Sequence, residues 1–227
     1  HDDDQTAVDE QMEKELEDGN DPYANEPTRH SALIVHSDQP MNAEVPERLL
    51  TEEYITPAEL FYIRHHHPVP VVDEEEARDY TLDVDLSAFG KGTMELSIDD
   101  LKTKFRKAEI TATLHCTGNQ RGRMNEVRRT SGTPWGQGAV STAKWGGVYL
   151  RDVLAYAGLD DLEEMRSKGL EHVRFEGADG MTASIGIEKA LNPFGDVIIA
   201  YEMNGRPLPP DHGFPLRALV PGYVAVR

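Results

Sequence analysis

The chain has 227 residues, room for one large domain or two small ones with a real core. Its 41 acidic and 23 basic residues leave a net charge of −18, which excludes general nucleic-acid binding, since that runs on Lys and Arg against phosphate. No apolar run is long enough to span a membrane, and a single cysteine, Cys116, excludes an internal disulfide or a Cys-rich structural zinc site.

Residues 1–29 read as a flexible acidic linker, because eleven acids up to Glu26 face Lys14 alone and apolar residues are few. The alternative is an acidic docking surface for a basic partner. A globular domain is expected over 30–227. Ala32–His36 reads as a strand, and Thr56 is placed to cap a short helix with Pro57 at its first position. Tyr80, Leu82, Val84 and Leu86 alternate with polar residues, as do Met94, Leu96 and Ile98, which predicts two half-exposed strands. A helix is expected to follow from Ile98 to Phe105. Ile110–Leu114 reads as a strand that delivers Cys116 at its end. A helix is predicted over Val148–Ala157, stopped by Gly158. Strands follow at His172–Phe175, Asp196–Tyr201 and Leu216–Val220. The irregular mixture predicts an α+β domain of mixed sheets and short helices rather than a doubly wound parallel sheet.

The charge reverses between Lys102 and Arg129. Eight bases there, Arg121 and Arg123 among them, face only Glu109 and Glu126. Local charge of this sign can focus a small anion toward a cleft. Cys116 lies in the same stretch, followed by Thr117, Gly118 and Asn119 in a loop leaving a strand. Such loops are where sites are usually built, and neighbouring positive charge favours the thiolate that binds metals. Simple packing of a buried cysteine is the competing reading. His65, His66 and His67 invite a metal site, yet consecutive strand residues point to opposite faces, so only His65 and His67 could share an ion.

The run LHCTGNQRGRMNEVR, then GTPW and GAVSTAKWGGVYLRDVL, resembles the molybdenum-cofactor domain of the sulfite oxidase and assimilatory nitrate reductase family. FYIRHHHPVP at 61–70, FEGADG at 175–180, AYEMNGRPLPPDHGFPLR at 200–217 and the terminal VPGYVAVR fit in the same order. The resemblance implies that Cys116 ligates molybdenum beside the two dithiolene sulfurs of a pyranopterin, a donor set that suits a soft thiolate. It implies that Tyr62, Ile63, Arg64, His65 and His66 line the pterin. The family usually carries Asn at position 65 and Leu at 67, both His here. Asp179, His212 and Arg217 match further Mo-molybdopterin positions, with a carboxylate for pterin N–H groups and His and Arg for the phosphate. Arg227 matches the first residue of another cofactor stretch. Arg64, Arg121 and Trp135 match the oxyanion pocket, where guanidinium groups can make paired bonds to an anion. Gln120 stands where the family often has a second Arg.

By the same resemblance, the implied reaction is oxidation of sulfite to sulfate at Mo(VI), with electrons passing to cytochrome c, a fused haem domain, or oxygen. Haem b would belong to an upstream cytochrome-b5-like domain, with residues 1–29 as the hinge behind it. A mitochondrial intermembrane-space location is implied, with peroxisome or cytoplasm as alternatives. Family members continue past VPGYVAVR into further site residues and a dimerisation domain that makes a homodimer. The chain is therefore expected to lack the C-terminal end of its cofactor domain. A nitrate reductase domain and an inactive fragment remain the competing readings.

Overall fold

The computed structural model describes residues 21–224, so Arg227 and residues 1–20 lie outside the described residues. Among these, twelve strands run in the order β1 (Ile34–Asp38), β2 (Met41–Glu44), β3 (Ile63–Arg64), β4 (Thr81–Asp85), β5 (Thr93–Ser97), β6 (Ala108–His115), β7 (Val140–Tyr149), β8 (His172–Glu176), β9 (Thr182–Gly186), β10 (Ile198–Met203), β11 (Arg206–Pro207) and β12 (Arg217–Leu219). The helices between them are short, the longest spanning seven residues, as in Ile98–Lys104. The α+β expectation therefore holds. No helix among the described residues is long and apolar enough to cross a membrane.

The main sheet is antiparallel, ordered β11-β10-β7-β6, with β12 on the same edge of β10 as β11. β1, β2 and β3 form a second sheet, and β4–β5 and β8–β9 are hairpins. Strand β10 separates two cores. Ile198 and Ala200 face the cluster that contains Cys116, while Ile199 and Tyr201 face a cluster with Leu101, Val153 and Leu154 from the helices. That alternation is the strand period of two. A bulge at Tyr201 breaks the register against β7 and shifts the phase, so Met203 joins the Cys116 side. β7 and β10 meet closely at Gly147, where a Cβ would fall 2.1 Å from Ile199 O and 2.7 Å from Ala200 Cα.

Several expectations change in detail. Thr56 does not cap a helix: Pro57 takes the cap position of a single 3-10 turn at Ala58–Leu60, and Thr56 exchanges hydrogen bonds with Thr142 instead. Val148 belongs to β7 because it pairs with Ile199, so the helix starts at Leu150. It ends before Gly158, which has φ 80°, as expected. The helix after β5 starts at Ile98 because Ser97 and Asp100 form a reciprocal capping box.

The linker expected over residues 1–29 lies mostly outside the described residues. Its last part is bonded into the domain, with Glu26 and Arg29 largely buried rather than solvated.

Candidate functional site

Strand β6 ends at His115, and Cys116 turns into the core among Tyr62, Trp135 and Trp145. Its amide donates to Ala139 O at 3.0 Å, and its Sγ accepts from the Gly118 amide at 3.4 Å. Gln120 then takes a left-handed turn with φ 64° and donates to Gly136 O at 2.6 Å, which starts the helix Arg121–Val127. Arg121 folds back over this loop. A Cβ on Gly118 or on Gly132 would fall 2.7 Å from its Nη1, so the guanidinium occupies room that two glycines leave. It also donates to Thr133 O at 2.9 Å. A cavity of about 600 Å³, lined by Asn125, Arg129, Thr130, Ser131, Gly132 and Pro134, opens beside Gly132.

Trp135 is fully buried, with its Cδ1 beside Gly118. Its Nε1 makes no hydrogen bond among the described residues. Its other neighbour is His36, edge-on at 5.2 Å, which a bulge in β1 turns inward. His36 Nε2 lies 3.5 Å from Glu44 Oε1, too far for a well-formed hydrogen bond.

A second group is linked to Cys116 through Tyr62. Tyr62 donates its amide to Ser141 Oγ at 3.2 Å, and burial pushes its hydroxyl pKa well up. Arg217 and Arg64 oppose that shift and the Cys116 sulfur adds to it, so these four groups interact as one electrostatic set. The Arg217 guanidinium lies 5.2 Å over the Trp145 ring and donates to His212 O at 2.9 Å. Burial pulls its pKa down, against Tyr62. His212 is buried against Phe61, with Nε2 3.3 Å from Ala58 O. Burial first and Arg217 second lower its pKa to about 4, so the ring is neutral at neutral pH.

The histidines separate. His65 Nε2 is 3.0 Å from Asp211 Oδ1, His66 Nδ1 is 3.3 Å from Arg64 Nη2, and His67 Nδ1 is 3.8 Å from Asp179 Oδ2. Strand β3 stops at Arg64, whose Nη1 also donates to His65 O. Among the described residues, no three His, Cys, Asp or Glu side chains gather as an ion site. Ile63 is turned into the small core of Leu33, Met41 and Ala43, which leaves only its main chain for a ligand. Asp179 sits in the β8–β9 turn, where Oδ1 accepts the Met181 amide at 3.1 Å, so its turn role and its contact with His67 coexist.

Sequence reasoning missed Asp211 and Arg29. Burial pushes the Asp211 carboxyl up, but hydrogen bonds from His65 and Arg29 outweigh it and hold it below the usual range. Arg29 is raised in turn, its bonds to Asp211 and Glu26 exceeding the effect of burial.

Residues 66–227 match the family model described as an oxidoreductase molybdopterin binding domain. The chain is 50% identical over 216 residues to the sulfite oxidase of Gallus gallus, covering 92% of this chain and 45% of that protein. It is 48% identical to the mitochondrial sulfite oxidase of Rattus norvegicus, covering 92% of this chain and 38% of that one. The nitrate reductase [NAD(P)H] of Hordeum vulgare is 39% identical, with 88% and 22% covered. The chain thus spans less than half the length of each. Among solved structures, the sulfane dehydrogenase SoxCD from Paracoccus pantotrophus shares the fold, with a TM-score of 0.66 at 22% identity over 92% of this chain and 55% of that one. The match over most of the chain bears out the resemblance read from its motifs, with sulfite oxidases and a nitrate reductase both similar to it: this chain belongs to the oxidoreductase molybdopterin-binding domain family.

Proposed function

We propose that this domain holds a molybdenum cofactor at Cys116 and oxidises sulfite to sulfate. The observation that carries the reading is Arg121, fixed between Gly118 and Gly132 one turn beyond the buried Cys116 thiol. A soft sulfur ligand beside an immobilised guanidinium suits a sulfur-rich metal with an oxyanion substrate. The cofactor fits the other residues as well. The buried Trp135 Nε1 has a donor to offer, and Arg217 brings a buried cation beside neutral His212.

When bound, the molybdenum centre supplies the oxygen-atom exchange and the two-electron change. The chain supplies the rest. Cys116 anchors the metal through its thiolate. Arg64 and Arg121 orient the anion, while Trp135 walls the pocket and excludes water. Tyr62, His65, His66, Asp179, His212 and Arg217, with the Ile63 main chain, hold the pterin and its phosphate. Arg227 belongs to the same set by its motif.

In the whole protein, electrons leave to cytochrome c, to haem b of a fused domain, or to oxygen. The protein works as a homodimer in the mitochondrial intermembrane space; the name of the rat relative supports the mitochondrial part of this reading. Two measurements test the proposal. Sulfite-dependent ferricyanide reduction is expected, and viologen-driven nitrate reduction without it would overturn the substrate. Cys116→Ser is expected to abolish turnover, and activity surviving that change would overturn the ligand assignment.

A further inference from the structure

We propose that Arg29 is a positioning residue of the cofactor site, clamping Asp211 and through it both His65 and the turn Pro210–His212. Its Nε lies 3.1 and 3.2 Å from the two Asp211 oxygens, and its Nη2 lies 2.7 Å from Oδ1. The same Asp211 oxygen meets His65 Nε2 at 3.0 Å. Arg29 also pairs with Glu26, whose other oxygen accepts the Val69 amide at 2.9 Å. The Glu26, Arg29, Asp211 and His65 side chains are 14, 12, 11 and 18% exposed. This is no surface ion pair: the fork joins residues 182 positions apart and ties three stretches, 26–29, 65–69 and 210–212, into one network.

The consequence for the cofactor is direct. His65 and His212, both read as pterin contacts, are neighbours of Asp211 in space or in sequence. Without Arg29, a buried carboxylate loses its permanently charged partner, and the turn that carries His212 and receives Arg217 loses its anchor. Lysine cannot replace the fork, because a single ammonium cannot make the same planar set of bonds. Arg29 reaches the cofactor only through these residues, and the inference rests on the cofactor reading above.

The test uses the full chain purified with its cofactor. Pterin release after dilution is followed by the fluorescence of its oxidised form, beside thermal unfolding of the same samples. Arg29→Gln is expected to shed pterin about tenfold faster, the size usual for losing an outer-shell partner. Arg29→Lys is expected to fall between it and the unaltered chain. Lys107→Gln breaks a surface pair with Glu202 and is expected to retain pterin normally. Retention by Arg29→Gln equal to that of the unaltered chain, whatever its Tm, overturns the inference. If Arg29→Gln does not fold, undiminished retention by Arg29→Lys overturns it equally. An unaltered chain that binds no pterin overturns the cofactor reading itself.

Discussion

A methyl group at position 118 would fall 2.7 Å from Arg121 Nη1 and 2.7 Å from Trp135 Cδ1, and Trp135 has no room to yield. Gly118→Ala is therefore expected to displace the guanidinium and lower kcat/KM for sulfite on the order of 100-fold, mostly through KM. Steady-state kinetics with molybdenum content measured alongside checks this, since the substitution keeps Cys116, the proposed ligand, in the chain. His212 makes a different prediction, for stability against pH. Its pKa is 6.5 in the unfolded chain and about 4 in the folded one, so between those values the unfolded state binds more protons. Stability should fall as the pH drops from 6.5 toward 4, by on the order of 3 kcal/mol for this group. Asp211 acts in the same direction at lower pH, as its depressed carboxyl becomes protonated. Urea unfolding of the cofactor-free chain across this window should show a shallower decline for His212→Gln. At this scale, Cys116, Arg64, Arg121 and Trp135 could be proposed from the sequence because each lies inside one of the motifs that follow in order. Arg29 was not. Its surroundings read as solvated acid, and its partner Asp211 lies 182 positions away, a separation no local pattern carries.

Gly147 and Gly186 both sit in strands, yet only one is required by its neighbours. A Cβ on Gly147 meets the carbonyl of Ile199 and Cα of Ala200, backbone that the β7–β10 pairing holds in place. Gly147→Ala should cost about 3 kcal/mol or more. Gly186 has nothing within 4 Å, and it caps the helix Ile187–Leu191 with φ −61°. Alanine there loses some capping and gains from a less free unfolded chain, so Gly186→Ala should stay within about 0.5 kcal/mol of the unaltered chain. Denaturant titration of the two variants compares them directly. The same contrast explains which elements the sequence shows. β4 and β5 alternate in burial and are read from period two, and β8 shows the same alternation in the structure. β7 hides its pattern, because Trp145, Gly146, Gly147 and Val148 are all buried in succession. The helix Arg121–Val127 gives no signal either: it has no side-chain cap, contains Gly122, and buries no residue.

Across the whole molecule, the net charge of −18 does not predict the local sign around Cys116, where Arg64 and Arg217 act on Tyr62 and Arg121 lies over Gly118. The α+β class and the order of the motifs were legible, while the joining of distant stretches was not, because packing rather than sequence spacing sets it. The clamp of Arg29 on Asp211 has a consequence for how the protein is made. A chain emerging from synthesis delivers Arg29 early and Asp211 late, with 182 positions between them. Closing so long a loop costs entropy and comes late among folding events. The residues proposed to face the pterin, His65 and His212, are therefore held in place only after the first and last described segments have met. On the proposed function, the cofactor is expected to bind only a chain in which these distant stretches have already joined.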